Sequence, residues 1–411
     1  MNKTDEFILS HRNEDVRQLA LKYINNKDID IHYALTQISA WQKARIKLPL
    51  WAQKDDIIYP EHLPMEQCSS QATAEYKLEI VKSLCKQENM IDLTAGFGVD
   101  CSIIGQWFKH ITAIDRNEEL CKLLLHNLPV MGCDNISVIN EDCEQYLTSL
   151  NNKEDKPHFN LLFIDPARRD KNGNKTFLIN DCSPDVCLLN DIMLEIADIV
   201  MIKLSPMLDL TSIESSLKGI YNIHVVSVNN ECKEIIIVLK SDLKEQSSSP
   251  EIVCVNTTKQ RTETFKFTKA EEATAVNTFF DYNKDITNDF TNNTLYLYEP
   301  NASIMKSGAY KTTATKFGLE KIQQNSHLYI STNKVENFPG RQFKIVDIIQ
   351  LNKEGIKKIK NYKQANLTTR NFPQSVNELR KKLNLRDGGN TYMFATTMNN
   401  NLHYMIVGEK E

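Results

Sequence analysis

Long apolar runs are missing from this chain of 411 residues. No stretch approaches the ~20 consecutive apolar residues that a membrane-spanning helix needs, so a helical membrane protein is excluded. The polar opening MNKTDEFILSHRNEDVRQL lacks the apolar core of a signal peptide. Ten cysteines occur without a single Cys-x-x-Cys pair or regular spacing. That excludes the usual zinc and disulfide frameworks and fits reduced thiols in a cytoplasmic protein, with no metal expected. Internal repeats and low-complexity tracts are also absent, so a solenoid or a disordered scaffold is not in question.

What is present is the composition of a globular protein, 41% apolar and 25% charged, at a length that calls for two or three domains. A net charge of only -4 hides an asymmetry. Residues 301–411 hold 18 Lys and Arg against 8 Asp and Glu, whereas the remainder holds 31 against 45. A basic C-terminal part on an acidic body suits a polyanion partner, or simply a solvated surface.

The first 64 residues read as helical, with Ile31, Leu35, Ile38, Trp41 and Ala44 on one face, and as a packing cap for the next domain or, through Arg45 and Lys47, a nucleic-acid contact. A helix from about residue 70 to Lys86, with Ser69 or Ser70 as N-cap, leads into alternating elements. Strands are expected near 90–94, 111–114, 136–139, 159–164 and 198–203, with helices between them. Alternation of this kind implies a parallel sheet covered by helices on both faces. Ile223–Val228 and Glu234–Leu239 are only five residues apart, too close for a crossover helix, and should close the sheet as an antiparallel hairpin. The expected domains are 1–64, 65–245, 250–330 and 331–411.

The run Met90–Asp100 reads as a strand, a turn containing Gly96 and Gly98, and a helix start. Glycine lets the backbone turn sharply and a ligand approach it closely. Asp115 ends the next strand, where a carboxylate can hold a ribose diol or cap the following helix. The third glycine of the dinucleotide fingerprint is missing, Cys101 standing in its place. A nucleoside cofactor without a pyrophosphate is therefore favoured.

This pattern resembles the first motif of class I S-adenosylmethionine-dependent methyltransferases, over roughly residues 65–240. The resemblance implies a Rossmann-like, seven-stranded α/β sheet ending in an antiparallel hairpin, with S-adenosyl-L-methionine as cofactor. It implies that Asp92 and the backbone of Thr94, Ala95, Gly96, Phe97 and Gly98 flank the methionine part. Asp115 would hold the ribose, Asp142 the adenine or else a helix cap, and Phe97 would line the pocket.

Phe159–Asp170 delivers Asp165-Pro166 from an apolar strand and resembles the Asp-Pro-Pro-aromatic motif of methyltransferases acting on exocyclic amines of bases. The resemblance makes Asp165 and the Pro166 carbonyl the groups that orient an acceptor nitrogen. Ala167 and Arg168 depart from that motif; Arg168 can stack on a base or grip a phosphate. Cys182 is either a structural thiol or, as in methyltransferases acting on uracil carbon, a nucleophile. Arg169 and Lys203 are candidate RNA contacts, or ion-pair partners.

Segments such as Tyr298–Gly308, Asn337–Phe343 and Arg370–Gln374 resemble bacterial THUMP-like methyltransferases, whose catalytic half is similar to trimethylguanosine synthases. That likeness implies a ferredoxin-like module followed by a basic THUMP-like module. Lys357, Lys358, Arg370, Arg380 and Lys381, interleaved with Tyr362, Phe372 and Tyr392, are then candidate RNA contacts, or else a solvated helix face beside core aromatics. The expected function is methylation of a base nitrogen, guanine among them, in tRNA or rRNA. The alternatives are a non-catalytic RNA-binding protein and a methyltransferase acting on a small molecule or a protein.

Overall fold

The computed structural model describes residues 2–154, 156–167, 178–243, 249–282 and 294–410. The chain forms two compact units, Met1–Ile223 with Glu234–Ser248, and His224–Lys233 with Ser249–Glu411. No helix among the described residues is long and apolar enough to cross a membrane.

The first unit opens with helices Lys3–His11, Val16–Tyr23 and Ile31–Lys47, whose N-caps Asn2, Asp15 and Asp30 each accept backbone N–H bonds. Phe7, Leu19, Ala34 and Ile38 form one small core. Further along the same helix, Ala40, Ala44 and Leu48 join Trp51 in a second core that includes Phe97 and Ile103. The N-terminal helices therefore pack on the glycine turn. The next helix, Gln71–Leu84, is capped by Ser70, whose side chain accepts from Thr73 N–H.

The sheet comprises β1 (Asn89–Asp92), β2 (His110–Asp115), β3 (Ile136–Asn140), β4 (Phe159–Ile164), β5 (Ala197–Leu204), β6 (Ile220–Val228) and β7 (Glu231–Lys240). Their order is β3-β2-β1-β4-β5-β7-β6. β1 to β5 are parallel and β7 runs antiparallel to β5, with Ile202 opposite Ile237. β4 and β5 are buried along nearly their whole length, as helix-covered parallel strands must be. Chain order reverses between β1 and β4, so the crevice for a ligand opens beyond the carboxyl ends of these strands.

β6 and β7 are joined by Asn229-Asn230 alone, both with positive φ (51° and 63°). This two-residue turn matches the twist of the strands, and asparagine tolerates the left-handed region. The strands are thus longer than the apolar runs that announce them. β8 (Glu251–Thr257) and β9 (Thr262–Phe267) follow β6 in the sheet order, which makes nine strands rather than the expected seven.

The second unit holds a sheet of β10 (Tyr296–Pro300), β11 (Glu320–Lys321), β12 (Tyr329–Ser331), β13 (Gly340–Gln350), β14 (Asn366–Arg370), β15 (Thr391–Thr397) and β16 (His403–Lys410). Its order is β11-β12-β10-β13-β16-β15-β14. The two expected C-terminal modules share this one sheet through the antiparallel β10–β13 pair, Leu297 facing Phe343. Leu297, Phe343, Phe394 and Ile406 fill one core, and Leu379, Leu383, Met405 and Val407 another. Tyr362 and Phe372 pack partly against the second core and Tyr392 against the first, which restrains them as stacking platforms.

Candidate active site

The carboxyl ends of β1, β2 and β4 bring Asp92, Asp115 and Asp165 to one cleft of about 240 Å³. The turn after β1 is shaped by backbone bonds: Leu93 N–H to the Phe163 carbonyl (3.0 Å), Ala95 N–H to Ile114 (2.8 Å) and Gly98 N–H to Ala95 (2.8 Å). Gly98, at φ +87°, starts helix Val99–Ile104, and a Cβ there would lie 2.4 Å from Leu124 Cδ2. Gly96 differs. At φ +55° a Cβ would meet only the Thr94 carbonyl oxygen, 3.8 Å away, so the space beside it is open to a ligand.

Asp115 is oriented rather than consumed. Its Oδ2 accepts from Gly96 N–H and its Oδ1 from Asn117 N–H, both at 2.8 Å, and each oxygen retains acceptor capacity. The cap of helix Glu118–Val130 is Asn117, not Asp115. Asp142 caps helix Cys143–Asn151 through Glu144 N–H (3.0 Å) and Gln145 N–H (3.3 Å), and it also lines the cleft. Phe97 touches the cleft but is only 2% exposed, its ring centroid 4.7 Å from that of Trp51.

Asp92 is buried. Its Oδ1 accepts from Thr94 N–H at 3.0 Å, while Oδ2 has no partner among the described residues. Burial pushes this carboxyl well above its usual range, against the pull of the Thr94 N–H. Thr94 reaches the other side of the cleft as well, its hydroxyl accepting the Asp165 N–H at 2.7 Å. A cradle open beside Gly96, an oriented Asp115 and an orphaned buried Asp92 oxygen suit a nucleoside carrying a polar, cationic tail.

Asp165 is paired through Oδ2 with Lys203 at the end of β5. Lys203, a candidate RNA contact from the sequence, is 8% exposed and turned inward. Burial disfavours its charge, but Asp165, Asp100 and Glu234 outweigh that and hold the ammonium above its ordinary range. Pro166 is buried, and Ala167 exchanges two backbone bonds with Ser183 (2.8 and 3.0 Å), which forms one wall of the cleft. Cys182 is buried and not among the cleft residues. Arg168 and Arg169 lie outside the described residues.

Ser69 and Asp100 on the cleft wall belong to a cluster of which sequence reasoning named only Ser69. Lys77 is fully buried, with Nζ 3.0 Å from Asp100 Oδ1, 2.7 Å from Glu234 Oε1 and 3.0 Å from Ser69 Oγ. The Ser69 hydroxyl donates to Asp100 at 2.6 Å. Burial raises the Asp100 carboxyl, yet Lys77 and Lys203 bring it below its usual range. A signal existed: Lys77 falls on the stripe Thr73, Ala74, Lys77, Ile80, Val81, the buried face of its helix.

Three of the basic candidates near the C-terminus are occupied. Arg370 donates to Glu299 at 2.8 Å, Lys358 reaches Asp347 at 2.5 Å, and Arg380 pairs with Asp387. Lys357 and Lys381 are exposed on helices Lys353–Ile359 and Val376–Leu383.

Known proteins share this architecture. Residues 296–339 match a ferredoxin-like domain family and residues 340–410 a THUMP domain-like family. A candidate methyltransferase from Porphyromonas gingivalis W83 superposes over 100% of this chain and 99% of its own, with a TM-score of 0.84 and 29% identity. An uncharacterised RNA methyltransferase of Mycoplasma mobile is 30% identical over 82 residues, 20% of this chain and 21% of the relative. The chain thus spans about a fifth of that relative's length. The chain thus shares the fold of that candidate methyltransferase, with a Rossmann-like sheet in its first part. A ferredoxin-like and a THUMP-like part follow at residues 296–339 and 340–410.

Proposed function

We propose that this protein transfers a methyl group from S-adenosyl-L-methionine to RNA, tRNA or rRNA, on a base nitrogen such as one of guanine. The observation that carries this reading is the coupling of Asp165 to the cofactor turn through Thr94, with Lys203 fixing the same carboxylate. The cofactor supplies an electrophilic methyl group on a sulfonium. Asp115 holds its ribose, Asp142 stands at the adenine side, and the Thr94–Gly98 backbone with Asp92 borders the methionine part.

Lys203 occupies Asp165 Oδ2, so Oδ1 is left to accept a hydrogen bond from the acceptor N–H. The Pro166 carbonyl offers a second acceptor, and the two align the nitrogen lone pair by proximity and orientation. RNA is favoured over a small molecule by the THUMP-like domain and the basic C-terminal part.

The test is incubation of the full chain with labelled S-adenosylmethionine and total RNA, followed by mass spectrometry of nucleosides. A methylated base is expected. Asp165→Asn should lower turnover about 100-fold or more, the range for a lost positioning group, with cofactor affinity retained. Asp115→Ala should abolish calorimetric binding of the cofactor. No transfer to any RNA would sink the reading.

A further inference from the structure

A second cavity, of about 740 Å³, lies wholly within the second unit. Its walls come from places distant in sequence: the Asn229-Asn230 turn, the β8–β9 turn, Asn301, Lys334, the start of β13 and the end of β16. Five cations border it, Lys259, Arg261, Lys334, Arg341 and Lys410, against one carboxylate, Glu263. Amides line it as well: Asn229, Asn230, Gln260 and Gln342.

The floor is built rather than incidental. Glu263 Oε2 accepts from Asn256 Nδ2 (3.2 Å) and Asn301 Nδ2 (3.1 Å), and both asparagines are buried. Asn230 N–H donates to Asn256 Oδ1 at 2.8 Å, and Asn230 Oδ1 accepts Ala302 N–H at 2.7 Å. The groove's one carboxylate is thus turned to internal work, with Arg261 above it at 2.6 Å. Gln342 Oε1 is buried and has no partner among the described residues. Glu299, itself buried, holds the Arg341 guanidinium in place from beneath.

Cations beside amide groups suit a sugar–phosphate backbone. The cations neutralise phosphates, and the amides can bond 2′-hydroxyls and base edges. Within the groove, Arg261 and Arg341 are held by Glu263 and Glu299, while Lys259 and Lys410 are exposed. We infer that this groove is the docking surface for the backbone of the RNA substrate. The inference rests on the RNA reading above.

The experiment uses the full chain and bulk bacterial tRNA, with fluorescence anisotropy at several salt concentrations. The triple variant Lys259→Ala, Arg261→Ala, Lys410→Ala is expected to weaken binding about tenfold or more and to lower the salt slope by roughly 2 to 3, about one per lost phosphate contact. Calorimetric binding of S-adenosylmethionine to the variant controls for folding and should be unchanged. Equal tRNA affinity and salt slope in the variant and the parent chain overturn the groove while leaving the RNA reading intact. Salt-dependent binding lost in the variant, with no methyl transfer to any RNA, supports the groove and fails the catalytic reading instead. Tighter binding of a polyglutamate peptide than of tRNA overturns the assignment in favour of an acidic protein partner.

Discussion

Asp92 carries a pH signature. The folded chain keeps its proton at pH values where the unfolded chain has lost it, because burial raises its pKa. A carboxyl raised on folding contributes stability below its unfolded value of about 3.9, and that contribution is lost as pH rises toward the folded value. Asp92→Asn keeps an oxygen for the Thr94 N–H and places a neutral amide where the neutral carboxyl stands. The variant is therefore expected to melt higher than the parent at about pH 8, with the difference vanishing near pH 4. Thermal melts at both values decide it, and an equal difference at both would refute the account. Lys77 gives the opposite case. Lys77→Met strands Asp100 and Glu234 in the interior, a loss of about 3–5 kcal/mol in urea unfolding. Replacing all three by apolar residues of similar volume should recover most of it. The glycine turn and Asp115 were legible because a strand, a turn and the next strand end lie close in sequence. The Lys77–Glu234 pair spans 157 positions, a distance no local pattern bridges.

Helix Ile31–Lys47 shows the same division between elements. Its apolar stripe was legible from spacing, but its target was not: Ala40, Ala44 and Leu48 carry Trp51 onto Phe97, between the two glycines of the cofactor turn. Phe97 thereby ties the shape of that turn to the N-terminal helices. Trp51 is fully buried, and Trp51→Ala should cost about 3–5 kcal/mol. It should also weaken S-adenosylmethionine binding about tenfold, a shift of roughly 1.4 kcal/mol, at a temperature where the variant is still folded. Paired melts and calorimetry separate the two effects, and an unchanged cofactor affinity would mean that the helices cap the domain without shaping the site. The β6–β7 hairpin was placed correctly from its apolar runs, yet read with a loop of five residues. Polar ends of strands carry no hydrophobic signal, and the Asn229-Asn230 pair, which tolerates positive φ, was the cue left unused.

At the level of the whole molecule, charge counts proved a coarser guide than charge geometry. The excess of Lys and Arg after residue 300 was visible at once. Which cations remain available depended on carboxylates brought in by folding: Glu299 takes Arg341 and Arg370, and Asp347 takes Lys358. The two ligands proposed for this protein should therefore respond to salt in different ways. RNA held by phosphate contacts releases condensed counterions, and its affinity should fall roughly 100-fold or more between about 50 and 200 mM salt. The cofactor cleft offers backbone groups and buried or partly buried carboxylates with no polyanion to displace. Its affinity for S-adenosylmethionine should stay within about twofold over the same range, since short buried contacts are screened little. Parallel titrations of the full chain with bulk tRNA and with cofactor make the comparison. Parallel salt slopes for both ligands would contradict it, because they would mean that RNA is held without phosphate contacts or that the cofactor site is open to bulk ions.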